Sequence, residues 1–214
     1  MKVLTRALVL LVLAVPTGAF AAAPSPATAK SVAAKPAARA TATFAGGCFW
    51  CIETAFEGKA GVKSVVSGYT SGSKLDPTYE EVSSGGTGHT EAIQITYDPR
   101  AISYTALLDI FWRNIDPTQG DGQFCDKGTQ YRSGIYYAND AQKLAAETSK
   151  RAIAARLGKP VVTEIVVATK FYPAEDYHQD FWKKDPVRYW SYRKGCGRDA
   201  RLKQLWGKAP ETAR

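Results

Sequence analysis

The stretch "EAIQITYDP" (91–99) alternates without a break. Ile93, Ile95 and Tyr97 fall on one face, Gln94 and Thr96 on the other. A period of two cannot close a helical stripe, so this segment predicts a β-strand with one buried face. Three more segments carry strand patterns: "TATFAG" (41–46), "VKSVVSGY" (62–69) and "SGIYYA" (133–138). "VVTEIVVA" (161–168) adds a fifth. Helical periods lie between them. One begins near Cys48 and places Ile52, Ala55 and Phe56 together. "SYTALLDIFWRNID" (103–116) opens on a Ser cap and aligns Leu107, Leu108, Phe111, Trp112 and Ile115. "DAQKLAAETSKRAIAARLG" (140–158) closes on Gly158. This mixed order predicts an α+β layered sandwich, a mixed and largely antiparallel sheet covered by helices. The aromatic segment 171–206 shows no clear period and is expected to wrap the core as long irregular chain with short helices.

The catalytic domain is assigned to residues 41–208, followed by a flexible tail at 209–214. Before it, "PSPATAKSVAAKPAARA" (24–40) contains no large side chain that could anchor a core, so it is expected to be a disordered Ala/Pro-rich linker. Residues 1–23 have the form of a signal peptide: Lys2 and Arg6, the apolar run "ALVLLVLAV" (7–15), then a small-residue cleavage site in "AFA" (19–21) or "AAA" (21–23). The run is too short to span a bilayer, so no membrane insertion is expected after cleavage. The expected location is outside the cytoplasm, periplasmic in a Gram-negative source. The net charge of +8 comes from scattered basic residues with no basic stripe interleaved with aromatics, which argues against nucleic acid.

The chemistry centres on "AGGCFWCIETAF" (45–56). Cys48 stands where a strand gives way to a helix, and amides and dipole at a helix start favour a thiolate. The preceding glycines are expected to let substrate approach the backbone. A zinc site would need a second paired Cys or His motif, but His89 and His178 are far apart in sequence, so no metal is expected. Glu91 shares a strand face with Ile93 and Ile95. A carboxyl there is desolvated and can hold a proton near neutrality, as a general acid must. Tyr79 and Tyr131, in "DPTYEEV" and "DKGTQYRS", can each donate a hydrogen bond to a substrate oxygen.

The motifs "GGCFWCIE" (46–53), "DPTYEEVSSGGTGHTEAIQITYDP" (76–99), "DKGTQYRSGIYY" (126–137) and "FYPAEDYHQDF" (171–181) together resemble the peptide methionine sulfoxide reductases of the A type. The resemblance implies that Cys48 attacks the sulfoxide sulfur and becomes a sulfenic acid. It implies that Glu91 protonates the sulfoxide oxygen, that Tyr79 and Tyr131 bind it, and that Asp126 supports the pocket. It also implies that Phe49 and Trp50 wall in the substrate methyl group. The substrate would be methionine S-sulfoxide, free or in oxidised proteins and peptides. No cofactor is needed, a thioredoxin-like reductant supplies electrons, and a monomer is expected. A thioredoxin-like disulfide oxidoreductase also uses a C-x-x-C at a helix start, but it leaves Glu91 and the tyrosine motifs unexplained.

Many family members carry Gly where Cys51 stands, which leaves the resolving thiol open. Cys196, between two glycines in an expected mobile loop, ranks first. Its neighbours Arg193, Lys194, Arg198 and Arg201 would favour its thiolate. Cys51, one helical turn from Cys48, ranks second. Cys125, beside Asp126, ranks last.

Overall fold

The structure is a computed structural model and describes residues 39–207. The signal segment 1–23, all but the last two residues of the linker 24–40, and the tail 209–214 lie outside the described residues. The first strand already includes Ala40, one residue before the expected start of the domain.

The elements follow in the order β1 (Ala40–Gly46), α1 (Phe49–Phe56), β2 (Val62–Thr70), α2 (Tyr79–Ser83), β3 (Thr90–Tyr97) and α3 (Tyr104–Arg113). A small ribbon of β4 (Gly122–Gln123) and β5 (Asp126–Lys127) leads through a 3-10 turn (Thr129–Tyr131) into β6 (Ser133–Tyr137). Then come α4 (Asp140–Leu157), β7 (Glu164–Val167), β8 (Tyr172–Pro173), α5 (Phe181–Lys184), α6 (Pro186–Gly195) and α7 (Arg198–Trp206). Six strands form one sheet in the order β7-β6-β1-β3-β2-β8. Every pair is antiparallel except β6 with β7. The mixed, largely antiparallel α+β sandwich is as expected.

The sheet's central strands bury Phe44, Ile93, Ile95 and Ile135, and Phe44 pairs in register with both Ile93 and Ile135. Helices α1, α3 and α4 pack on these strands. Phe44 stacks on Phe111 of α3, with ring centroids 5.0 Å apart, and lies 5.7 Å from the ring of Phe56. Caps fix the helix starts. Ser103 accepts from the Ala106 amide, Asn139 from that of Gln142, and Gly158 ends α4 in the left-handed region.

Three expectations change. The fifth strand is shorter than 161–168, because the Val162 amide donates to the Pro117 carbonyl (2.8 Å) and not to a strand ladder. Segment 171–206 is more regular than expected: it holds β8 and three helices, with α6 opening on Asp185 as cap and Pro186 in its first turn. Helix α2 was not anticipated, although Thr78 and Glu81 form a capping box visible as T-x-x-E.

Removing the Phe44 ring leaves a void between the sheet and α1 and α3. Phe44→Ala is expected to lose about 3–5 kcal/mol of stability, read from the midpoint of urea denaturation at unchanged slope.

Candidate active site

The β1–α1 junction is built on two glycines. A Cβ on Gly46 would stand 2.5 Å from Ile52 Cδ1 and 2.7 Å from Ile115 Cγ2. Gly47 has φ +80°, and a Cβ there would stand 2.6 Å from that of Gln123. These glycines therefore admit neighbouring side chains and the sharp turn, and the expectation that they open the backbone to substrate is replaced.

Cys48 is the N-cap of α1. The first amide of α1 is already engaged by a carboxyl. Phe49 N–H donates to Glu91 Oε2 (2.9 Å), and the Cys48 amide lies near the Asp126 carboxylate. Cys48 is buried, beside the Cys51 sulfur and near both carboxyls, and burial raises its pKa well above the ordinary thiol value. The expected thiolate at this helix start is thus not the resting state. Cys51 titrates at about 6, because it accepts a hydrogen bond from the Cys48 thiol and lies near the guanidiniums of Arg198 and Arg193.

A cavity of about 80 Å³ opens beside Cys48. It is lined by Cys48, Phe49, Trp50, Tyr79, Glu91, Asp126, Tyr131 and Tyr192. The structure thus brings together every residue that the sequence assigned to acid, oxygen-binding, pocket-supporting and methyl-binding roles. Glu91 is 2% exposed on β3, opposite Tyr69 of β2, and burial pushes its pKa up to about 8. It is therefore protonated near neutral pH. Burial also raises the Tyr79 and Tyr131 hydroxyls, which remain donors. Tyr79 is held by its amide, which donates to Glu175 Oε1 at 2.8 Å. Asp126 accepts from Tyr192 Oη at 2.5 Å, and desolvation raises its pKa.

Cys51 and Cys196 do not line the cavity. Cys51 is a free, buried thiol on α1. Cys196 is neither free nor in a loop: it caps the C-terminus of α6 and is disulfide-bonded to Cys125. Three of the four cations expected to serve Cys196 are committed elsewhere. Arg193 is buried and pairs with Asp199 (2.6 Å), and Arg201 pairs with Asp116 (2.7 Å). Arg198 is buried, with its guanidinium donating to the carbonyls of Gly46 and Asn114. Sequence reasoning missed Tyr192, Glu175, His178 and Phe181, all from the C-terminal segment that carries no readable period. The His in "EDYHQ" and the aromatic density there were the available signals.

A family model described as peptide methionine sulfoxide reductase matches residues 40–210. Peptide methionine sulfoxide reductase MsrA of Listeria monocytogenes serotype 4a is 53% identical over 167 residues, covering 77% of this chain and 94% of that protein. The crystal structure of reduced Mxr1 from Saccharomyces cerevisiae superposes with a TM-score of 0.68 at 32% identity, over 74% of this chain and 92% of Mxr1. Mxr1 in complex with Trx2 superposes with a TM-score of 0.50 at 25% identity, over 71% of this chain and 91% of that one. These matches do not favour a thioredoxin-like disulfide oxidoreductase. The sulfur-lined cavity and the matches across the whole described domain agree: the chain belongs to the peptide methionine sulfoxide reductases of the A type.

Proposed function

We propose that this enzyme reduces methionine S-sulfoxide, free and in oxidised proteins, through a sulfenic acid on Cys48. The observation that carries the reading is a protonated carboxyl and a thiol on one small cavity: Glu91, with a pKa of about 8, and Cys48. Tyr79 and Tyr131 donate to the sulfoxide oxygen, Asp126 braces the site, and Phe49 and Trp50 enclose the methyl group. Cys48 attacks sulfur while Glu91 protonates the oxygen. An S–S bond forms between Cys48 and the substrate as the S–O bond breaks and the oxygen leaves as water; water then attacks the Cys48 sulfur, forming its S–O bond, and the S–S bond breaks to release the thioether. The sulfoxide is reduced to the thioether and the thiol is oxidised to the sulfenic acid.

Cys51 replaces Cys196 as the first resolving thiol in this reading. It sits one turn from Cys48, is free, and lies near the guanidiniums of Arg198 and Arg193, which favour its attacking thiolate. Its sulfur attacks the sulfenic sulfur, a Cys48–Cys51 disulfide forms and water leaves. A thioredoxin-like dithiol then reduces that disulfide, a partner supported by the Mxr1 complex with Trx2. The apolar run 7–15 and the small residues after it support export, with a mature N-terminus at Ala22 or Pro24.

The reaction is tested by single turnover of a blocked methionine S-sulfoxide with dithiothreitol. The native enzyme is expected to consume it, and Cys48→Ser to have no activity. Glu91→Gln is expected to lose roughly 10²–10⁴ in the chemical step. The sign of the pH dependence follows from a raised carboxyl pKa: the acid is present below about pH 8 and lost above it, so the native rate falls through about pH 8. Glu91→Gln should lack that falling limb, and a native rate in this variant overturns the assignment.

Cys51→Ser is expected to reduce one equivalent normally and then to turn over poorly with a thioredoxin-like donor. Peptide mapping after one turnover should find Cys48 linked to Cys51; a first linkage to Cys196 or Cys125 refutes the order.

Export is checked by intact mass of the secreted fraction, where Met1 should be missing.

A further inference from the structure

Trp50 is held on two sides by the segment that follows β8. Its indole Nε1–H donates to Nδ1 of His178 at 3.1 Å, across 128 residues of chain. Its ring face stacks on Phe181, with centroids 3.8 Å apart and planes 12° apart. The His178 ring is 2% exposed and also touches two other cavity walls, Phe49 (4.9 Å between centroids) and Tyr79 (4.4 Å). His178 itself does not line the cavity.

An indole N–H is only a donor, so its partner must offer a lone pair. A protonated imidazole has none left, and the contact therefore requires neutral His178 with its proton on Nε2. That nitrogen has no hydrogen-bond partner and lies 3.9 Å from Glu175 Oε2. Burial lowers the His178 pKa to about 4, which keeps the ring neutral where such an enzyme works. Both ring nitrogens thus face protein groups, Trp50 and Glu175, and neither is turned to a reacting atom. Glu175 in turn accepts from the Tyr79 amide and from the Tyr69 hydroxyl, each at 2.8 Å.

We infer that His178 is a positioning residue for substrate selection: its Nδ1 lone pair fixes the plane of the Trp50 indole and so sets the width of the methyl-binding side of the cavity. This rests on the reading of Trp50 as the methyl wall. Without the acceptor, the indole N–H is left unsatisfied against protein, and the ring turns to find a partner. The wall then no longer distinguishes a methyl from a larger group.

The test compares kcat and KM for methionine S-sulfoxide and for ethionine S-sulfoxide, which carries one more methylene. His178→Phe keeps a ring and removes the acceptor. It is expected to raise KM for the methyl substrate about tenfold, in line with the loss of one part-buried hydrogen bond, while kcat changes little. The preference for methyl over ethyl should narrow. His178→Asn keeps an oxygen acceptor near the Nδ1 position and should restore both KM and preference. Circular dichroism checks the fold of each variant, and His178→Met replaces His178→Phe should the latter fail to fold. Equal losses on both substrates overturn the inference, as does a His178→Asn that behaves like His178→Phe. Trp50→Leu separates the two levels. If it leaves the methyl–ethyl preference unchanged, the wall reading falls and the role of His178 with it. If it changes the preference and His178→Phe does not, the role of His178 alone is refuted.

Discussion

The hydrogen bond from the Phe49 amide to Glu91 Oε2 ties the start of α1 to the middle of the sheet, and the chemistry depends on it. It brings the acid of β3 to the thiol at the end of β1 without any loop between them. It also decides where negative charge is not stabilised. A helix N-terminus favours an anion by roughly 0.3–1 kcal/mol, up to about 2 when partly buried. Moving Glu91 from 4.5 to about 8 corresponds to a penalty on its charged form on the order of 5 kcal/mol. Desolvation therefore wins over the amide, and Glu91 keeps its proton. One amide at the start of α1, that of Phe49, is taken by Glu91.

The charge that α1 does tolerate lies one turn further on. Cys51 lies within the field of two buried guanidiniums, Arg193 and Arg198, carried by α6 and α7. Arg193 also donates to the Tyr189 hydroxyl (3.2 Å), which lies 2.8 Å from Thr54 Oγ1, and Thr54 bonds back to the Cys51 carbonyl (2.9 Å). The C-terminal helices therefore do more than cover the core. They supply two cations that favour an anion at Cys51.

Much of this was legible because it rests on local rules. The alternation of Ile93, Ile95 and Tyr97 fixed the face on which Glu91 stands, and parity alone places that carboxyl in a desolvated row. Ser103, Asn139 and Gly158 mark helix ends by their own chemistry. The roles of Cys125 and Cys196 were not legible. Their sulfurs meet across 71 residues, and nothing periodic in either segment encodes that meeting. Arg193 and Arg198 misled for a related reason. Charged residues in a basic stretch read as a solvated surface around Cys196, whereas each is 1% exposed and acts on Cys51.

The two sulfur pairs lie on either side of one carboxylate. Cys48 and Asp126 line the same cavity, and the Cys125 sulfur stands 3.8 Å from Asp126 Oδ1. The Cys125–Cys196 bond also joins the chain next to Asp126 to the helix that carries Tyr192, whose hydroxyl binds the same carboxylate. The disulfide thereby limits how far Asp126 and Tyr192 can part. Cys125 is exposed while Cys48 and Cys51 are buried, so a reductant meets the outer bond in solvent and reaches the inner pair only through the cavity or by local opening.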